Sequence, residues 1–240
     1  MLSPMKEATE KKTFMIAKIF DEISKTYDVI NTLLSFGLDR RWRKKALEFI
    51  PKDSHEDVLD IACGSCAQIL ALAKKRPYCR FTGIDISEKL LTIGRNKLSK
   101  KNYMVEGLIT GSALDLPFEA ENFSICTLSF GIRNMENVDK ALAEAYRVLK
   151  KNGKLLVLEF SLPEKVFLRK LALFYLKYIL PKIGNLLSNH LYAYTYLNET
   201  IRTFPSGKAF IDLLKRAGFV HTNCHPMTFG MVTLYVGEKL

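Results

Sequence analysis

The chain has 240 residues, an apolar fraction of 48% and a formal charge of +11, which fits a globular protein with a full core and excludes a disordered or collagen-like one. The positive balance admits an anionic membrane surface or an anionic ligand, but no Arg/Lys-rich tail or aromatic RNA-binding motif accompanies it, so no nucleic acid partner is expected. Five irregularly spaced cysteines, a polar start and the lack of a long apolar run point to free thiols, a reducing compartment and a cytoplasmic protein with no membrane span.

Apolar residues at helical spacing from Phe14 to Phe20, continued by Ile23, predict a helix that caps the site. Tyr27-Asp28-Val29-Ile30-Asn31 and Leu34-Ser35-Phe36-Gly37-Leu38 follow. The basic segment from Arg40 to Lys45 reads as a solvated helix face with Trp42 packed beneath it. Asp57-Val58-Leu59-Asp60-Ile61-Ala62-Cys63-Gly64 is the stretch on which the rest is organised: an apolar run closed by an acid, then small residues. It reads as a buried parallel strand entering a tight turn. A helical pattern from Gln68 to Lys75 starts beside that turn, so main-chain N–H groups face whatever lies above the strand.

Cys79 to Asp85 forms a second strand ending in an acid, the position from which nucleoside-binding folds hold both ribose hydroxyls. Ser87 is a good N-cap for a helix reaching Leu98. Tyr103 to Thr110 is a third strand, and Gly111 to Phe118 a loop in which Pro117 stops regular structure. Phe123 to Ser129 is a fourth strand with Phe130-Gly131-Ile132-Arg133-Asn134 at its carboxyl end, the functional edge of such sheets. A helix over Asn137 to Lys151, closed by a left-handed cap at Asn152-Gly153, leads into a fifth strand, Leu155 to Phe160.

From Pro163 to Leu197 the chain is apolar and aromatic, with Lys165, Arg169, Lys170, Lys177 and Lys182 giving a basic face. It suits a lid, a surface for an oily ligand, or a helical subdomain that buries itself. A helix from Phe210 ends at Gly218, and strands near Val220 to Cys224 and Met231 to Gly237 finish the chain as an antiparallel edge. The fold class expected is α/β: a seven-stranded, mostly parallel sheet with helices on both faces and an antiparallel edge strand. Residues 1–50 are expected to form an N-terminal helical cap and 51–240 the main domain, with a helical insert over 162–200.

These residues resemble the Rossmann-like class I S-adenosylmethionine-dependent methyltransferases, and more narrowly the UbiE/MenG family that methylates a ring carbon of prenylated quinols. The markers are Tyr27 to Asn31 with Leu34 to Gly37, Ser129 to Asn134, Tyr146-Arg147-Val148-Leu149-Lys150, Leu156 to Ser161, and Tyr196-Leu197-Asn198-Glu199-Thr200-Ile201-Arg202. The resemblance implies S-adenosylmethionine as cofactor, held by Asp60, Gly64, Ser65, Asp85, Ser112, Ala113 and Ser129. It implies a demethylmenaquinol-type substrate, with a benzoquinol of ubiquinone synthesis as the alternative. It also implies work near the inner face of the membrane and admits a homodimer.

Side chains replace family glycines at Ala62, Cys63 and Cys66, and are expected to crowd approach to the turn. Methylation of a ring carbon needs an ionised neighbouring hydroxyl, exclusion of water and no metal. Arg133 and Asn134 are expected to orient and stabilise the ring oxygen, with Tyr27 hydrogen-bonding it or relaying its proton. The plain alternatives are a surface ion pair of Arg133 with an acid such as Glu136, and a core role for Tyr27. Two rival functions remain. Cys63-Gly64-Ser65-Cys66 matches a dithiol redox motif, and a domain short of loop glycines could be a non-catalytic scaffold.

Overall fold

Strand β1 (Asp57–Ile61) is the centre of the fold because its residues are hidden on both sides: Val58, Leu59 and Ile61 are each at most 1% exposed. Val58 joins one core layer and Leu59 and Ile61 the other, as alternation along a strand requires. The computed structural model describes residues 15–18, 20–24, 26–179 and 191–240. The other strands are β2 (Arg80–Asp85), β3 (Val105–Thr110), β4 (Phe123–Ser129), β5 (Leu149–Phe160), β6 (Val220–Met227) and β7 (Val232–Glu238). They form one seven-stranded sheet in the order β3-β2-β1-β4-β5-β7-β6.

The strands from β3 across to β5 are parallel, and β7 is antiparallel to both β5 and β6. The strand order reverses between β1 and β4, and in such sheets that switch point opens a crevice at the carboxyl ends. The described helices are α1 (Tyr27–Leu34), α2 (Asp39–Lys44), α3 (Ala67–Ala73), α4 (Glu88–Leu98), α5 (Val138–Val148), α6 (Val166–Phe174), α7 (Leu191–Thr203) and α8 (Lys208–Arg216). Residues 15–18 and 20–23 are also helical, and Tyr175–Ile179 continues α6 as a π-helix. Trp42 of α2, Ile69 of α3 and Leu91 of α4 cover one face of the sheet; Leu142 of α5 and Leu214 of α8 cover the other.

Ser87 caps α4, its hydroxyl accepting from the Leu90 N–H at 3.2 Å, as predicted. The predicted left-handed cap at Asn152-Gly153 is a correction. Helix α5 stops at Val148, and Asn152 takes its positive φ of 60° inside β5. Where the helix ends, its last carbonyls are met from elsewhere in the chain: Arg147 O accepts from the Glu121 N–H at 3.1 Å and the Lys239 amine at 3.4 Å, and Val148 O from the Asn122 N–H at 2.8 Å, while Lys239 also donates to Leu149 O of β5 at 2.7 Å. Leu149 is then fully buried beside β4. Strand β6 runs to Met227, beyond the predicted Cys224, because β7 pairs with it as far as Val232. Part of the aromatic insert, residues 180–190, lies outside the described residues.

Candidate active site

A cleft of about 720 Å³, counting the space at its mouth, lies over the carboxyl ends of β1, β2 and β4. Its walls include Ala62, Gly64, Asp85, Ser112, Ala113, Ser129, Gly131 and Asn134, with Ile16 and Phe20 of the N-terminal helix closing one side. Five of the seven predicted cofactor residues therefore meet in one place. The strand ends bring them there. Asp85 is the last residue of β2 and Ser129 the last of β4.

The turn after β1 is shaped for close approach. Ala62 and Gly64 both take positive φ, 54° and 53°. A side chain at Gly131 would come within 2.8 Å of the Ala62 Cβ, so glycine is needed where the β4 loop crosses the turn. The Asp85 carboxylate locks the arrangement, accepting from Gly64 N–H at 2.8 Å and Ser87 N–H at 2.9 Å. Burial nonetheless raises its pKa, the backbone hydrogen bonds opposing that rise. A carboxylate fixed at the end of β2, beside a main chain bare enough to approach, fits a ribose diol.

The expected crowding by cysteine does not occur, because both side chains turn into the core. Cys63 and Cys66 are 7% and 0% exposed and neither lines the cleft. Gly83 of β2 leaves the space for the Cys63 sulfur, since a Cβ there would lie 2.8 Å from it, and Gly94 of α4 does the same for Cys66. Cys66 pays for its place with a left-handed backbone, φ 63°. Both thiols are free, and the pairing of Cys63 with Cys66 together with burial pushes the Cys63 pKa well up. Inert buried thiols of this kind do not suit a dithiol redox centre.

Asp60 and Ser65 stand behind the cleft wall. Asp60 is 1% exposed; its Oδ1 accepts from the Thr127 hydroxyl at 2.6 Å and its Oδ2 has no partner. Burial pushes its carboxyl up to about 7. The Ser65 hydroxyl donates to Asp28 Oδ1 at 2.6 Å, and Asp28 also pairs with Lys97. With Asp21 accepting from the Ser87 hydroxyl at 2.5 Å, these contacts fasten the N-terminal segment across the loops after β1 and β2.

Asn134 lines the cleft and is 7% exposed. Arg133 is turned to the side: its Nη1 donates to Glu159 Oε1 at 2.7 Å and to Phe130 O at 2.6 Å. Its counter-ion is thus Glu159 of β5, fully buried, and the guanidinium lies over the Phe160 ring at 5.2 Å. The backbone of Tyr27 opens α1; its side chain lies outside what the structure describes.

Trp42 is packed as expected, against Phe130 and Phe160, and donates to the Thr228 hydroxyl at 2.8 Å. Arg40, Arg41 and Lys44 are exposed, but Arg43 is buried, which the basic run does not announce. Gln68 and Glu159 were equally silent in sequence, since each matters through a distant partner: Ser129 and Arg133. His221, Cys224 and His225 form no metal centre, and no group of three or more potential ligands occurs among the described residues.

The family model described as the ubiE/COQ5 methyltransferase family matches residues 5–239. A demethylmenaquinone methyltransferase of Bacteroides fragilis is 36% identical over 231 residues, covering 95% of this chain and 94% of that protein. A ubiquinone/menaquinone biosynthesis C-methyltransferase UbiE of Geotalea daltonii is 37% identical, covering 93% and 96%. Among solved structures, a SAM-dependent methyltransferase of Thermotoga maritima superposes with a TM-score of 0.63 at 18% identity, over 93% of this chain and 99% of that one, a likeness of fold. On this match and on the cleft that its sheet builds, the chain belongs to the ubiE/COQ5 methyltransferase family and is an S-adenosylmethionine-dependent methyltransferase.

Proposed function

We propose that the chain methylates a ring carbon of a prenylated quinol, converting a demethylmenaquinol to a menaquinol. The observation that carries the reading is the joining, in one apolar-walled cleft, of a ribose-type acid at Asp85 with a polar strand end at Ser129 and Asn134. The names of relatives such as the Bacteroides fragilis protein support the naphthoquinol ring. The Geotalea daltonii relative, named for both quinones, keeps a polyprenyl-benzoquinol as the second reading.

S-adenosylmethionine, when bound, supplies an electrophilic methyl group on a sulfonium. Asp85 and Gly64 would hold its ribose, Ser112 and Ala113 its base, and Ser129 its methionine side. Asp60 and Ser65 would act from behind the wall, Ser65 by tying the turn to Asp28. A quinol carbon becomes nucleophilic when its neighbouring hydroxyl ionises, so the chain's own tasks are to hold that oxygen and exclude water. Asn134 is proposed to donate to the oxygen and Tyr27 to hydrogen-bond it or help relay its proton, which leaves through water. Arg133 is proposed as a positioning residue that braces the loop carrying Asn134 by tying Phe130 O to Glu159.

Residues 1–50 serve in this reading as the cap and 162–200 as the lid for the prenyl chain. Phe167, Leu171 and Phe174 are exposed on the helical stretch that also carries Arg169, Lys170 and Lys177, a pattern suited to an anionic lipid surface. Phe36, 75% exposed at a φ of 52°, joins that face through Tyr175, ring to ring at 6.1 Å. No described helix is long and apolar enough to cross a membrane. The test is expression in a host lacking its own quinone methyltransferase, followed by mass spectrometry of extracted lipids. The naphthoquinone should gain one methyl; a methyl on the benzoquinone alone selects the second reading, and none on either removes both.

A further inference from the structure

The cations flanking the carboxyl ends of β1 and β4 differ in one respect. Lys97 is neutralised by Asp28 and donates to Ser65 O at 3.2 Å, and Arg133 is neutralised by Glu159. Arg43 is not neutralised. It is 8% exposed, its side chain makes no ion pair or hydrogen bond among the described residues, and its Nε is buried without a partner. Asp60 is a coulombic neighbour but not an ion-pair partner. A guanidinium taken out of water without a counter-charge is costly, and such a group in a native fold asks for an explanation.

What holds Arg43 in place also says where it is. Its guanidinium lies over the Phe130 ring at 5.2 Å. Its carbonyl accepts from Gln68 Nε2 at 3.2 Å, and Gln68 Oε1 in turn accepts from the Ser129 hydroxyl at 3.1 Å. Ser129 and Phe130 both line the cleft. The cation therefore stands against Phe130, next to the β4 end of the cleft and behind its lining residues, across β1 from Asp85.

A nucleoside held at Asp85, with its base towards Ser112, has its 5′ arm left to run from β2 over β1 to β4, since those strands are neighbours in that order. In S-adenosylmethionine that arm ends in an α-carboxylate. We infer that Arg43 binds the α-carboxylate of the donor's amino-acid arm and so discriminates for the complete methionine end. The inference rests on the methyltransferase reading but not on which quinol is the acceptor.

The test is calorimetric binding of S-adenosylmethionine and of its decarboxylated analogue, which keeps the nucleoside and the sulfonium and lacks only the carboxylate. The wild-type chain is expected to prefer the complete donor by about 10- to 100-fold, the size of a charge-assisted contact, and Arg43→Met to bring that preference within about twofold. Arg43→Lys, which keeps charge and stem, should retain most of the preference. Equal affinity of the wild type for both compounds overturns the inference whatever the variants do. So does an undiminished preference in Arg43→Met, or a lysine variant that binds both compounds equally. A wild-type chain that binds neither compound brings down the donor site itself, a different result from the loss of discrimination alone.

Discussion

Arg133 and Glu159 meet at 2.7 Å, from the end of β4 and the end of β5, with their side chains only 8% and 0% exposed. Glu159 also accepts from its neighbour's N–H, that of Phe160, at 2.8 Å, so the acid is held from two sides. Burial raises the Glu159 pKa, and Arg133 pulls it back. The pair is a brace between neighbouring strands at the rim where Asn134 sits.

Removing one partner should therefore cost more than a surface pair would. Arg133→Met is expected to lower stability by about 3 kcal/mol in urea denaturation at pH 7, because it leaves a buried carboxylate uncompensated. The loss should grow as pH rises above the ordinary glutamate range, since the folded state then binds a proton that the unfolded state has released. Adding Glu159→Gln to Arg133→Met should restore part of it. A single-variant loss below about 1 kcal/mol would place the pair with ordinary surface bridges.

Asp60 makes a prediction of definite sign. Burial pushes its folded carboxyl up to about 7, whereas in the unfolded chain the ordinary value is about 3.9. Between those values the folded state holds the extra proton, so this group's contribution to stability falls as pH rises through the window. The stability of the wild type relative to Asp60→Asn should fall from pH 4 to pH 7 by at most about 4 kcal/mol. Parallel pH profiles for the two proteins would show that Asp60 is already ionised when folded.

Gly94 and Cys66 should behave as a coupled pair. Alanine for glycine inside a helix is normally favourable, but here the new Cβ would run into the Cys66 sulfur. Gly94→Ala alone is expected to cost about 1–3 kcal/mol through overpacking. In a Cys66→Gly background the same change should become neutral or favourable. Additive effects in thermal denaturation would dissociate the two positions.

Thiol labelling separates the five cysteines. Cys63, Cys66, Cys79 and Cys126 are buried and Cys224 is exposed. Burial raises the Cys126 pKa as well, so native protein treated with iodoacetamide should carry one label, on Cys224, and unfolded protein five. Rapid native labelling of Cys63 and Cys66 would show that the turn opens.

The proposed lipid contact has its own measurement. Changing Arg169, Lys170 and Lys177 together to Gln should weaken flotation with anionic vesicles by roughly 100-fold, at about 1 kcal/mol per charge, and leave neutral vesicles unaffected. Unchanged partitioning would detach the insert from the bilayer.

Much of this protein is written in short range. The apolar run of β1, the Ser87 cap, the acid closing β2 and the polar end of β4 are each local patterns, so the sheet, the crevice and five of the seven cofactor positions could be read from the chain alone. The end of α5 could not, because the groups that meet its last carbonyls, the N–H groups of Glu121 and Asn122 and the Lys239 amine, come from other parts of the chain. Nor could the harmlessness of Cys63 and Cys66, which depends on Gly83 and Gly94 in other elements.

Charge shows the same division. Composition counts cations but does not say which are buried or what neutralises them, because a counter-ion is chosen by which strand ends become neighbours. Arg133 finds Glu159 only once β4 lies beside β5. Arg43 is left without a counter-ion among the described residues only once α2 has packed Trp42 against the aromatic rings over the sheet. Sequence fixes the periodicities that make strands and helices, whereas the cost of burying a charge is a property of its surroundings, and these exist only after the chain has closed on itself.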